Sequence, residues 1–228
     1  MKLFENKKSC KLAFLVSKAA ELVIMKKNFV SNSRESIRMF KNPLFEALSK
    51  VPFYVPLIVY IPVIFYFSWI SVQLNGVGLF IGQLLLGLLI WTLTEYVLHR
   101  FVFHFYPSSE WGKRIHFIFH GVHHDYPNDA QRLVMPPSAS IPLAAAFYFL
   151  FKLIFPAYML DGFFVGFIGG YLFYDMTHYM LHHAQFKNGI WKKIKHHHML
   201  HHYDDSTKGY GVTSALWDRI FGSDFLKK

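Results

Sequence analysis

Cysteine is almost missing from this chain: Cys10 is the only one. No internal disulfide can form, and Cys-rich zinc modules and iron–sulfur clusters are excluded as the main chemistry. Charge is missing too, over one long stretch, since no Lys, Arg, Asp or Glu falls between Val51 and Thr94. A secretory signal is not legible either: the apolar segment from Leu12 to Met25 is interrupted by Lys18 and Glu21 and lacks a clear small-residue cleavage site. That segment suits an amphipathic helix on a membrane surface or a partly ordered arm. Solenoid repeats and low-complexity tracts are absent, which removes the repeat architectures.

What is present is apolar and aromatic. Hydrophobic residues make up 53% of the 228, aromatics 19%, and mean hydropathy is +0.24. Soluble domains hold about 45–50% apolar residues, so lipid is the solvent to test first. Two apolar blocks, each broken by a turn signal at Asn75-Gly76 and at Asp161-Gly162, give four segments near the roughly 20 residues a spanning helix needs. We place the spans at about 51–72, 77–98, 139–159 and 162–181, after an N-terminal arm of residues 1–50. Residues 51–228 then form a single domain. Pro142, Pro156 and Lys152 make the third span the one expected to kink, tilt or re-enter.

Basic residues set the orientation. Eleven Lys/Arg precede the first span, four lie between the hairpins and eight follow the last, while both short turns have none. The positive-inside rule places the N-terminus, middle loop and C-terminus in the cytoplasm. The membrane would be a bacterial inner membrane or, in a eukaryote, that of the endoplasmic reticulum. The net charge of +10 is thus a topology signal with some attraction to anionic lipid, and nucleic acid is not an expected partner.

Fourteen histidines are the anomaly. Ten fall in four groups: His99 and His104; His120, His123 and His124; His178 and His182; His198, His201 and His202. Residues three or four apart share a helix face, so three groups can aim imidazoles at a common centre. The five-residue spacing of His99 and His104 requires the helix to end or bend between them. All four groups lie at or beyond the cytoplasmic ends of apolar spans, where bundles build metal sites from neighbouring helices. Ten imidazoles could give five nitrogens to each of two ions, and one structural zinc needs only four ligands. His116 could support His120 from one turn away. His183 points away from His182, and His196 or His197 could compete with His198. Glu95 and Asp175 lie one helical turn before histidines in apolar surroundings. Each is read either as a carboxylate that orients a ligating imidazole or as one reaching headgroup water.

Imidazole suits several metals, so ligand type alone does not choose among them. Acid–base groups cannot attack an unactivated alkyl C–H, and a centre meeting acyl chains from the bilayer points to redox chemistry with O2. No catalytic side chain beyond the histidines is singled out. Trp91 to His104, His116 to His124, Arg132 to Pro137, Tyr174 to His183 and Lys208 to Gly222 carry motifs whose histidine spacing and intervening residues agree together. From about Arg38 to Gly222 the chain resembles the membrane fatty acid hydroxylase/sterol desaturase superfamily, and within it the sphingolipid fatty acid 2-hydroxylases. The resemblance implies an all-α integral membrane protein of four transmembrane helices in two hairpins, with a cytoplasmic helical cap holding the dimetal site. It implies two irons held by the ten histidines, with His198 taken over His197, and O2-dependent hydroxylation at C2 of a long acyl chain. Zinc could replace iron in a purified sample. Many relatives carry a fused cytochrome b5 domain that this sequence lacks, so a separate donor, cytochrome b5-like or a ferredoxin with its reductase, is expected. The Gly209-Tyr210-Gly211 turn would let backbone approach the cage or serve as a plain loop. The same chemistry on a sterol, carotenoid or alkane, a desaturation outcome, and a membrane metal-binding or transport protein are the competing readings.

Overall fold

In lipid every backbone polar group needs an internal partner, and a helix supplies it within one segment. The structure, a computed structural model describing residues 29–225, is built that way, with helices and no strand among the described residues. The expectation for Leu12 to Met25 lies outside them. In chain order the elements are α1 (Pro43–Leu48), α2 (Val55–Val97), a π-helical turn π1 (Leu98–Phe103), α3 (Glu110–His116), a second π-helical turn π2 (Phe117–Gly121), α4 (Val122–Asp125), α5 (Pro137–Ile154), α6 (Ala157–His183), α7 (Gly189–Tyr203) and α8 (Leu216–Ile220). Three helical stretches, Val55–Phe103, Pro137–Ile154 and Ala157–His183, are long and apolar enough to cross a membrane. Their outer faces carry residues that a soluble protein would cover, such as Phe65, Trp69 and Leu153 at 71%, 68% and 86% exposure.

Helix α2 is not straight. Gly76 has φ 73° and ψ 165°, a left-handed conformation that favours glycine. Ser71 Oγ donates to Gln83 Oε1 over 2.9 Å although twelve residues separate them. A straight helix would hold them about 18 Å apart. The chain therefore doubles back at Asn75-Gly76, where the sequence placed a turn. Asn75 Nδ2 and Gln83 Nε2 both donate to the Tyr158 carbonyl, at 2.7 and 3.1 Å, tying this hairpin tip to α6.

The second turn is not where it was expected. The chain breaks at Phe155-Pro156, not at Asp161-Gly162, because Pro156 has no N–H to continue a helix and pushes Phe155 to extended backbone (φ −100°, ψ 145°). Gly162 instead lies inside α6 and opens a ridge of small residues with Gly166 and Gly170. A Cβ there would meet Gln83 Oε1 at 2.1 Å, the Leu84 carbonyl oxygen at 2.0 Å, or the Trp91 ring at 2.6 Å. Helices in lipid associate through close packing of this kind. The contact seats α6 against the returning limb of α2, and buried Phe167 and Tyr171 pack edge-on against Trp91.

Residues before α2 are tied to the middle loop. Arg132 donates to Glu46 Oε1 and to the Ile37 carbonyl, each at 2.7 Å, and Ser36 Oγ donates to Asp129 Oδ2 at 2.7 Å. Burial pushes the Glu46 carboxyl up, but the Lys50 ammonium, the Phe40 and Met39 amides and the Arg132 guanidinium outweigh it and bring it to about 2.

Candidate metal centre

The apolar helices deliver two pairs of histidines, and the polar segments after them deliver two triplets. His99 and His104 share a face because the helix widens rather than ends. The chain from Leu98 to Phe103 is π-helical, and the His104 N–H donates to the His99 carbonyl at 3.1 Å, an i→i+5 bond. The expected end or bend is therefore a π turn. His178 and His182 sit at the end of α6, His120, His123 and His124 across π2 and α4, and His198, His201 and His202 on α7.

All ten imidazoles gather into two neighbouring groups of five. The first comprises His99, His104, His120, His124 and His201, and the second His123, His178, His182, His198 and His202. Within each group the facing nitrogens lie within 4.8 Å of one another. The two triplets are crossed. From His120-x-x-His123-His124 the outer pair joins the first group and the middle residue the second, while from His198-x-x-His201-His202 the outer pair joins the second and the middle residue the first. Helical spacing explains this, because i and i+4 nearly eclipse while i+3 leans to the other side. The remaining histidines stand elsewhere. His116 rests against the Tyr106 ring, His183 against Tyr179, and His196 is exposed. His197 turns to Asp218, at 3.3 Å, so His198 and not His197 joins the cluster.

This donor set fits metal ions. Adjacent Nε2 atoms lie 2.9 to 3.3 Å apart along His124–His120, His120–His104, His201–His104 and His104–His99 in the first group, and along His182–His198, His123–His202 and His202–His198 in the second. Nitrogens around one ion at bond lengths of about 2.1 Å would stand about 3.0 Å apart when adjacent and about 4.2 Å when opposite. Protons alone would not settle the cluster. His99 Nδ1–H donates to the Tyr210 carbonyl at 2.5 Å and His201 Nδ1–H to the Lys208 carbonyl at 2.6 Å, leaving both Nε2 atoms as lone pairs. Both face His104 Nε2, which can offer only one proton. Burial, reinforced by neighbouring imidazoles, pulls His104, His120, His123, His124, His198 and His202 below the ordinary histidine range. Burial also lowers His201, to about 4, against the Lys208 carbonyl bond that raises it. At neutral pH these rings are uncharged, the form that ligates.

The carboxylates do something other than expected. Glu95 accepts from the Val212 and Thr213 N–H groups at 2.8 and 3.0 Å and from Thr213 Oγ1 at 2.9 Å, so it grips the C-terminal loop and not an imidazole. Asp175 accepts from the Met135 N–H at 3.3 Å and from the Tyr171 hydroxyl at 3.1 Å, fastening the start of α5. In each case the acid lies a full helical turn before its histidine and reaches the backbone of a loop distant in sequence instead. Sequence reasoning missed Asp218 altogether. Fully buried, it accepts from the Tyr210 and Gly211 N–H groups at 2.9 and 2.8 Å and from Ser223 Oγ at 2.8 Å. Burial pushes its carboxyl up, but these donors and His197 hold it below the usual range. Its only sequence signal is an acid inside the Lys208 to Gly222 motif. Gly211 has no room for a side chain, since a Cβ would lie 2.9 Å from Asp218 Oδ2 and 2.1 Å from the Ser214 carbonyl oxygen.

Beside the histidines lies a cavity of about 520 Å³, which touches His120 of the first group and His123 and His178 of the second. Its lining is largely apolar, including Phe103, Phe119, Leu133, Val134 and Met135.

Fold and centre together define a helical, membrane-type protein with a paired, all-imidazole site. The sequence profile of the fatty acid hydroxylase family matches residues 84–223, and the chain belongs to that family of hydroxylases. It is 38% identical over 192 residues to dihydroceramide fatty acyl 2-hydroxylase FAH1 of Arabidopsis thaliana, a match covering 84% of this chain and 81% of that one. It is 37% identical to the fatty acid 2-hydroxylase of Rattus norvegicus, covering 81% of this chain and 56% of that one. Among solved structures, full-length Scs7p, of which only the hydroxylase domain is visible, aligns with TM-score 0.77 at 38% identity, over 82% of this chain and 71% of that one.

Proposed function

We propose that this chain is an O2-dependent 2-hydroxylase of a long acyl chain, carried by a sphingolipid or ceramide or present as its fatty acid precursor. The observation that carries the reading is the apolar cavity bordering both five-histidine groups at the ends of membrane-type helices. The relatives' names, dihydroceramide fatty acyl 2-hydroxylase and fatty acid 2-hydroxylase, support the substrate and the carbon. In balance, an acyl CH2 next to the carbonyl, O2, two electrons and two protons become CHOH and water. Two irons, one held by each group of five histidines, would supply the redox power toward O2 that no side chain has for an alkyl C–H.

The protein's own residues bind, orient and exclude water. Phe103, Phe119, Leu133, Val134 and Met135 give the acyl chain an apolar wall and keep bulk water from the histidines. The Tyr210 and Lys208 carbonyls fix the tautomers of His99 and His201, so their Nε2 lone pairs face inward without rearrangement. The doubling back at Gly76 supports reading the three apolar helical stretches as four crossings, with the histidine-bearing segments on one side. The Lys/Arg distribution supports reading that side as cytoplasmic. A soluble or membrane-bound donor on that side delivers the electrons.

The test is product analysis with labelled gas. Iron-loaded protein, a reductant system and an acyl ceramide under 18O2 are expected to yield a 2-hydroxyacyl product containing one 18O. Hydroxylation at another carbon, a desaturated product, or no turnover of any acyl lipid would overturn the reading.

A further inference from the structure

The two histidine groups differ in what holds them. In the first, His99 and His201 each donate Nδ1–H to a carbonyl of the loop 208–213. In the second, no imidazole donates to a backbone carbonyl or a carboxylate among the described residues. There the Nδ1 atoms of His123, His198 and His202 are buried without hydrogen-bond partners, whereas in the first group only that of His104 is. The loop that serves the first group is itself clamped. Asp218 takes the Tyr210 and Gly211 amides and Ser223 Oγ, Ser223 in turn contacts the Tyr96 hydroxyl at 2.7 Å, and the Gly209 N–H donates to the Ser223 carbonyl at 2.9 Å.

We propose that Asp218 is a positioning residue for the first histidine group alone, acting through the Tyr210 carbonyl on His99 and through the adjoining loop on His201. It touches neither group directly. Isosteric Asp218→Asn is a severe test, because each carboxylate oxygen accepts a backbone N–H, Tyr210 on Oδ1 and Gly211 on Oδ2. An amide NH2 must oppose one of them, and the turn carrying the Tyr210 carbonyl has to shift. The inference rests on the two-ion reading, and it is tested by metal content, apart from turnover.

The experiment titrates the full chain in detergent with zinc alone and counts ions retained after dialysis, with helix content checked by circular dichroism. The wild type is expected to retain two ions. Asp218→Asn should retain one tightly and bind the other about 10- to 100-fold more weakly, the usual cost of losing a partner behind a ligating histidine. Combined with His182→Ala, from the second group, it should retain none. Combined with His99→Ala, it should still retain one, because both changes strike the same site. Two tightly held ions in Asp218→Asn, or loss of both together with helix content intact, would overturn the proposal. So would fewer than two ions in the wild type, which would overturn the two-ion reading as well. A wild type with two ions that hydroxylates no acyl lipid sinks the proposed function and leaves this inference standing.

Discussion

Two imidazoles of the first histidine group are held by a polar loop, and two of the second by a packed helix. His99 and His201 lean on the Tyr210 and Lys208 carbonyls, in a loop that buried Asp218 holds at Tyr210 and buried Glu95 at Val212. His178 and His182 have no such bonds and stand where α6 puts them, and α6 is fixed by the Gly162, Gly166 and Gly170 ridge against Gln83, Leu84 and Trp91. The same ligand type in the same number can therefore be prearranged in two ways, by hydrogen bonds at the rim or by backbone packing within the apolar layer. The difference predicts which distant substitutions reach which group.

The largest effect should come from the ligands themselves, where the two groups become equivalent. His99→Ala and His182→Ala should each remove one ion and drop 2-hydroxy product below detection, as measured by metal analysis and mass spectrometry on the same sample. Full metal content in either variant would remove that residue from the centre. Next comes Gly166→Leu. Its side chain has no space beside the Leu84 backbone, and overpacking costs about 1–3 kcal/mol or more. The melting temperature should fall by several degrees, with the second group's ion lost first on titration with a chelator. Gly169→Ala has open space at its Cβ, so it should leave both readings unchanged.

Smaller still, Glu95→Ala should weaken the first group's ion by roughly 10-fold by freeing the Val212 and Thr213 amides, again read by zinc titration. Glu95→Gln should come close to wild type. Its carbonyl oxygen can keep both amides while its NH2 donates to Thr213 Oγ1, and this contrast with Asp218→Asn sharpens the distinction between the two acids. The smallest effect concerns the N-terminal clamp, which serves neither group. Glu46 has a folded pKa near 2 against an ordinary 4.5, so its contribution is complete above about pH 4.5 and is lost as pH falls through 2. Amide exchange in residues 29–50 should rise over that window, and Glu46→Gln should abolish the pH dependence.

Much of this was legible because it is local. Histidine spacing, charge-free runs and Asn75-Gly76 are short-range signals, and the structure gathers the same ten histidines that the spacing singled out. The π turn was not legible, since only the i→i+5 bond from His104 to His99 distinguishes it from a helix end. The turn at Asp161-Gly162 was misplaced because a glycine between two apolar segments reads as a break, whereas here it admits Gln83, seventy-nine residues earlier in the chain. Glu95 and Asp175 stood out as costly acids, but the loop amides they hold lie 117 and 40 residues away, beyond any pattern of spacing. Asp218 carried no such flag, because one acid in a polar tail looks ordinary until the loop folds over it.

The most direct test of the central claim is X-ray absorption at the metal edge of the fully loaded protein, with ions per chain counted on the same sample. Two ions per chain, each in a nitrogen-dominated shell at about 2.1 Å, is the expected result. A single ion, or shells made mainly of oxygen or sulfur, would contradict the convergence of ten imidazoles on a pair of metals.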